Sequence, residues 1–129
     1  MTECVVNAFL ECPCLLCFAL KAADKLQEQG VSCEVIDPRT IRPLDIDTII
    51  ASVKKTNRVV IAEESHPICG VGAEISAEIM ERAFDYLDAP VKRVSGVDVP
   101  MPYAKNLENL AIPDVNRIVA AVREVAYIG

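Results

Sequence analysis

The chain has 129 residues, 52% hydrophobic and 25% charged, with a net charge of −6 and one histidine. That length fits one domain with a sizeable core, and the composition is that of a globular chain rather than a disordered one. The acidic balance argues against the basic face that nucleic acid needs, and no apolar run reaches the roughly 18 to 20 residues that span a bilayer.

Trp is absent and aromatics make up 5% of the chain, so Val, Ile, Leu and Ala must build the core. Such a core suits parallel strands covered by helices. The acidity itself serves solubility and permits a basic protein partner. Glu3 and Glu11 precede the first base, Lys21. The opening residues therefore lack both the Arg-rich, acid-poor pattern of a transit peptide and the positive start of a secretory signal.

Val5 to Leu10 predicts a first buried strand. From Leu15 to Gln29 the spacing turns helical, with Leu16, Leu20, Ala23 and Leu26 on one face. Gly30 closes that helix, where a left-handed residue carries no Cβ penalty. Val31 to Asp37 reads as a strand ended by Pro38.

Arg39 to Leu44 is a loop stiffened by Pro43. Asp45 caps a helix from Ile46 to Lys55, whose Ile46, Ile49, Ile50 and Val53 form a stripe. Asn57 turns the chain into a continuously apolar strand, Arg58 to Ala62. A loop from Glu63 to Gly72 follows, then a helix from Ala73 to Tyr86 with Ile75, Ile79, Ala83 and Leu87 inward. Val91 to Ser95 is a short strand, and Gly96 to Pro113 a long proline-rich connection. Pro113 opens a last helix that buries Val115, Ile118, Val119 and Val122. The alternation predicts a three-layer α/β domain over residues 1–129, Rossmann-like, with a mostly parallel sheet between helices.

Several residues invite a chemical reading. His66 ends a strand, where open α/β sheets place ligands, and Glu63 or Glu64 stand near enough in sequence to orient it. A lone histidine makes no base–orienter pair by itself, and a surface or interface role fits it better. Gly70-Val-Gly72 opens a helix, but Ile75 stands where a dinucleotide fingerprint requires glycine. A tight turn that lets helix and strand approach is the better reading. Cys12-Pro-Cys14-Leu-Leu-Cys17 with Cys4 has four thiols for zinc or redox chemistry, yet no second ligand knuckle and no nearby histidine. Small buried thiols are the alternative.

The motifs then fall into a familiar order. Ala22-Ala-Asp-Lys-Leu26, Glu34-Val-Ile-Asp37, Arg39-Thr-Ile-Arg-Pro-Leu-Asp45 and Ser52-Val-Lys-Lys-Thr-Asn57 come first. Gly70-Val-Gly-Ala-Glu-Ile75, Phe84-Asp-Tyr-Leu-Asp-Ala-Pro90 and Asp98-Val-Pro-Met-Pro-Tyr103 complete the set. From about Leu20 onward the chain resembles the transketolase-type C-terminal domain of pyruvate dehydrogenase β subunits. Residues 1–19, with Cys4, Cys12, Cys14 and Cys17, depart from the Val- and Thr-rich opening of that family.

The resemblance implies a parent enzyme that oxidatively decarboxylates pyruvate and passes acetyl groups to lipoamide, using thiamine diphosphate and magnesium. It implies no cofactor site and no catalytic residue in this chain, because in that family the α subunit and a preceding β-subunit domain hold the cofactor. It implies assembly and docking instead. His66, Gly70, Gly72, Pro100, Pro102 and Tyr103 fall at subunit interfaces, with pyruvate dehydrogenase α and β subunits as partners. Asp88 and the terminal carboxylate of Gly129 would meet basic side chains of the subunit-binding domain of the dihydrolipoyl acyltransferase. Without the resemblance, Asp88 reads as a solvated aspartate at a helix end. The compartment it implies is the mitochondrial matrix, or the cytoplasm of a bacterium. A nucleotide- or small-molecule-binding module and a cysteine-cluster metal or redox protein are the alternatives.

Overall fold

A computed structural model describes residues 2–8 and 13–128, with side chains described from Leu15 onward. The elements are β1 (Thr2–Ala8), α1 (Pro13–Glu28), β2 (Val31–Ile36), α2 (Ile46–Thr56), β3 (Val59–Ala62), α3 (Val71–Ala83), β4 (Lys92–Val94), α4 (Lys105–Ala111) and α5 (Val115–Val125). A 3-10 turn, Phe84–Tyr86, extends α3.

The four strands form one parallel sheet in the order β2-β1-β3-β4. Register pairs Thr2 with Val31, Val5 with Val59 and Val60 with Lys92. β1 therefore sits between β2 and β3, although its residues belong to the segment that departs most from the resemblance.

β3 shows why its sequence is continuously apolar, since every residue from Val59 to Ala62 is buried. Val60 and Ala62 face Leu15, Ala19, Ala22 and Leu26 of α1 and Ile118 and Val122 of α5. Val59 and Ile61 face Ile49 and Val53 of α2 and Ile75 and Ile79 of α3. Alternating side chains thus feed two cores, one on each face of the sheet. The three-layer α/β architecture expected from the sequence is the one found.

Local signals hold at several ends. Asp45 accepts from the amide of Thr48 at 3.1 Å and from its hydroxyl at 2.7 Å. Asn57 is left-handed at φ 63° and closes α2 onto the carbonyl of Val53, and Gly30 is left-handed at φ 81°.

Four expectations need correction. The buried stripe of α1 is Leu15, Ala19, Ala22 and Leu26, while Leu20 is exposed. Only Leu26 belongs to both stripes, because apolar residues crowd two phases of this helix. The Gly96–Pro113 connection contains α4, whose Leu107 and Leu110 point outward and leave no buried periodicity to read. α3 starts at Val71 rather than Ala73 and gives way to the 3-10 turn after Ala83. Pro113 lies one residue before the α5 cap, because Asp114 accepts from the amide of Arg117 at 2.8 Å and occupies the cap position itself.

Candidate functional site

The carboxyl end of β3 delivers Glu63 into the interior, its side chain only 3% exposed. A buried carboxylate must find donors for its lone pairs and a cation for its charge. Oε1 accepts from the guanidinium of Arg93 on β4, through Nη2 and through Nε at 3.2 Å. Oε2 accepts from the Ser65 hydroxyl at 2.8 Å and from the amide of Gly72 at 2.9 Å. That amide lies in the first turn of α3, whose positive dipole end favours a carboxylate.

The two glycines of Gly70-Val-Gly72 answer to this carboxylate. A Cβ at Gly72 would lie 2.6 Å from Oε1, and one at Gly70 2.6 Å from Oε2 and 2.8 Å from the carbonyl of His66. The close approach expected between helix and strand is thus an approach to one side chain. Both glycines are buried.

Arg93 also donates to the carbonyl of Pro67 at 2.9 Å, so one cation holds both the carboxylate and the loop around it. That loop in turn holds the next. The amide of Gly96 donates to the carbonyl of Ser65 at 3.0 Å, and Nδ1 of His66 donates to the carbonyl of Val97 at 3.1 Å. Val97 donates onward to the carbonyl of Ala111 at the end of α4. A side chain on Gly96 would collide with the carbonyl of Glu64 at 2.7 Å. Glu63 is committed to Arg93, Ser65 and Gly72 and does not orient His66, whose ring is exposed against Val97.

The locked second loop carries an apolar surface. Val97, Val99, Met101, Tyr103, Leu107 and Leu110 are all exposed, Tyr103 completely. Pro100 is exposed and Pro102 half-buried. Ile68 is exposed on the first loop.

Asp88 lies at the other end of the β3–β4 pair. Its amide donates to the carbonyl of Asn57 at 2.9 Å, and its carboxylate is 3.5 Å from Nη2 of Arg58. Nε of Arg58 donates to the carbonyl of Val125 at 3.1 Å, and the Tyr127 hydroxyl donates to the carbonyl of Asp88 at 3.4 Å. The final turn of the chain therefore runs beside Asp88. Gly129 lies outside the described residues, as does Cys12, and only the backbone of Cys4 and Cys14 is described. Of the other thiols, Cys17 and Cys69 are exposed, and burial pushes Cys33 up to about 11.

A half-open cleft of about 830 Å³ separates the starts of α2 and α3, between Ile41 and Leu44 on one wall and Val71 and Glu74 on the other. Arg82 stands at its edge, tied to Glu78 at 2.7 Å and Asp47 at 3.3 Å.

The family model described as "Transketolase, C-terminal domain" matches residues 14–118. The chain belongs to that family.

Within it, the chain is similar to proteins named pyruvate dehydrogenase E1 component subunit beta. It is 60% identical to that of Rickettsia bellii over 110 residues, covering 85% of this chain and 34% of the relative. It is 58% identical to the mitochondrial protein of Saccharomyces cerevisiae over 113 residues, covering 86% and 31%. It is 56% identical to that of Rhizobium meliloti over 110 residues, covering 85% and 24%. The chain thus spans between a quarter and a third of these relatives. A solved structure described as "Split gene transketolase, inactive beta4 tetramer" superposes with a TM-score of 0.80 at 25% identity, over 98% of this chain and 39% of that one.

Sequence reasoning placed this transketolase C-terminal domain correctly and missed Glu63 and Arg93 as its organising pair. The available signal was an acidic residue ending an all-apolar strand, two glycines shortly after it, and an arginine in the next strand.

Proposed function

We propose that this chain is the assembly and docking domain of a pyruvate dehydrogenase β subunit and carries no reactive centre of its own. The observation that carries the reading is the row of exposed apolar side chains on the loop from Val97 to Tyr103 and on α4 at Leu107 and Leu110, the loop being pinned by hydrogen bonds to another that a buried ion pair holds. A stiff loop loses less entropy on docking than a mobile one, and contiguous exposed apolar surface marks association sites. His66, Pro100, Pro102 and Tyr103 lie on this surface, and Gly70 and Gly72 shape its support.

The parent reaction, proposed from the relatives' names and from the family resemblance, is the oxidative decarboxylation of pyruvate, with thiamine diphosphate and magnesium as the resemblance implies. In this reading the diphosphate and its magnesium belong to the α subunit and the preceding β-subunit domain rather than to residues of this chain. The proposed partners are the α and β subunits, including a second copy of this chain, and the subunit-binding domain of the acyltransferase at Asp88. The solved transketolase relative is described as a tetramer, which supports association between copies. Mitochondrial and bacterial relatives support a matrix or bacterial cytoplasmic setting.

Purified chain, alone and mixed with a pyruvate dehydrogenase α subunit, tests the reading by sedimentation velocity and by pyruvate turnover. Self-association or co-sedimentation without turnover is expected. Turnover of pyruvate by the chain alone, given thiamine diphosphate and magnesium, would overturn it.

The cleft between α2 and α3 favours a second reading, a small-molecule or nucleotide-binding module. A bound ligand must raise the melting temperature, so a flat thermal-shift profile across a nucleotide panel would remove this reading.

A further inference from the structure

We propose that the loops after β3 and β4, together with α4, open as one conformational unit whose latch is the buried pair of Glu63 and Arg93. The unit is defined by contacts within this chain and stands whether or not the docking reading above does.

Core packing does not hold these loops. None of residues 64–69 and none of residues 97–110 is buried. A segment without buried apolar contacts belongs to the low-stability end of a fold and opens before the core does. Its anchors are therefore hydrogen bonds, and those bonds run from loop to loop. The amide of Gly96 donates to the carbonyl of Ser65, and Nδ1 of His66 donates to that of Val97. The amide of Val97 donates to the carbonyl of Ala111 and so closes α4 onto the second loop. Arg117 of α5 donates to the carbonyl of Ser95 at 2.7 Å, at the foot of that loop, and marks where the unit ends.

The pair sits where both loops leave the sheet. Glu63 accepts from the Ser65 hydroxyl and the Gly72 amide, which brackets the first loop. Arg93 donates to Glu63 and to the carbonyl of Pro67 in the middle of that loop. Losing either side chain frees the first loop, and the first loop carries the second. A carboxylate 3% exposed that parts from its cation is left buried and unpaired, which is costly. Half-open states are therefore penalised, and the contacts form or break together. The pair explains little as a source of net stability, because apolar replacements of similar volume are often neutral or stabilising. Cooperative closure of two unburied loops gives it a role.

Hydrogen exchange of the full native chain, read by NMR at single amides, tests this. In wild type the hydrogen-bonded amides of Gly72, Gly96 and Val97 should share one opening constant. That constant should exceed the one for Val122, buried in the middle of α5. Glu63→Gln removes the charge and leaves an acceptor for the Gly72 amide. It should speed exchange at Gly96 and Val97 by at least about fivefold, although neither amide bonds to residue 63, and leave Val122 at its wild-type rate. Coupling is reciprocal, so disturbing the second loop should open the first. Gly96→Ala, whose Cβ would meet the carbonyl of Glu64 at 2.7 Å, should speed the Gly72 amide in its turn. Acceleration of Gly72 alone in Glu63→Gln would reduce the pair to a local contact and overturn the proposal. So would equal acceleration of Val122, which marks a global loss of stability. Should neither variant fold, the wild-type chain still decides. Opening constants of Gly72, Gly96 and Val97 that agree within about threefold support one unit, and a wider spread overturns it.

Discussion

The amide of Gly72 donates to Oε2 of Glu63 at 2.9 Å, in a space where a Cβ on the same glycine would come within 2.6 Å of Oε1. The backbone of a helix start and a buried carboxylate are therefore built to one another. Gly72→Ala forces the carboxylate off its partners or α3 off the sheet, and overpacking of this kind costs about 1–3 kcal/mol. Urea unfolding should show that loss as a lower midpoint with an unchanged slope. A midpoint equal to wild type would mean the carboxylate moves aside freely.

Gly70 makes the stronger case, because its Cβ would meet the carbonyl of His66 at 2.8 Å as well as Oε2 of Glu63. Backbone yields less readily than a side-chain end. Gly70→Ala should therefore be at least as destabilising as Gly72→Ala, and the ranking of the two midpoints checks it.

The Cys33 thiol is held near 11 by burial, against an ordinary value of 9.0. A raised thiol means the folded state prefers the neutral form. The stability it contributes is complete below 9.0 and drains as pH rises through 9.0 towards 11. The thiolate is the nucleophile, so at mildly alkaline pH iodoacetamide should label the exposed Cys17 and Cys69 well before Cys33. Mass spectrometry of peptides from the folded chain reads the order. Equal labelling of all three would show that Cys33 is open to solvent as a thiolate.

Asp45 shows the opposite sign. Hydrogen bonds from the Thr48 side chain and amide hold its carboxyl below the ordinary value of 3.8. The cap's charge-dependent stability is therefore full above 3.8 and is lost as pH falls through the folded value beneath it. Asn caps a helix about as well as Asp but does not titrate. The advantage of wild type over Asp45→Asn at neutral pH should vanish in acid, and should shrink in high salt because the site is exposed. A gap between their unfolding midpoints that stays constant with pH would show that the charge does no stabilising there.

Much of this was legible because the signals were local. Asp45 before a four-residue apolar spacing, Asn57 after two lysines and Gly30 after a helical stretch each act within one turn. The all-apolar β3 announces burial on both faces by itself. The α1 face was misread because Leu15-Leu16-Cys17-Phe18-Ala19-Leu20 offers two apolar phases, and only packing on the sheet decides between them. α4 escaped because Leu107 and Leu110 face solvent, so its apolar residues follow no core. Glu63 escaped for a different reason. Its partner Arg93 is 30 residues away, and an acidic residue is a surface residue until something far along the chain neutralises it.

Asp88 carries the sharpest prediction for the docking reading. Its carboxylate is 56% exposed and 3.5 Å from Arg58, and exposed pairs contribute about 0–1 kcal/mol. Asp88→Ala should therefore leave folding stability nearly unchanged. Against the acyltransferase's subunit-binding domain the expectation is different, because a carboxylate desolvated against a partner's arginine makes charge-assisted bonds. Titration calorimetry should show a loss of about 2–5 kcal/mol for Asp88→Ala. The neighbouring Tyr127 separates recognition from local geometry. Its hydroxyl donates to the main-chain carbonyl of Asp88, so Tyr127→Phe leaves the carboxylate in place and should weaken binding far less. Equal losses in the two variants would assign the effect to the shape of the final turn rather than to the charge. No loss in either would remove Asp88 from the interface.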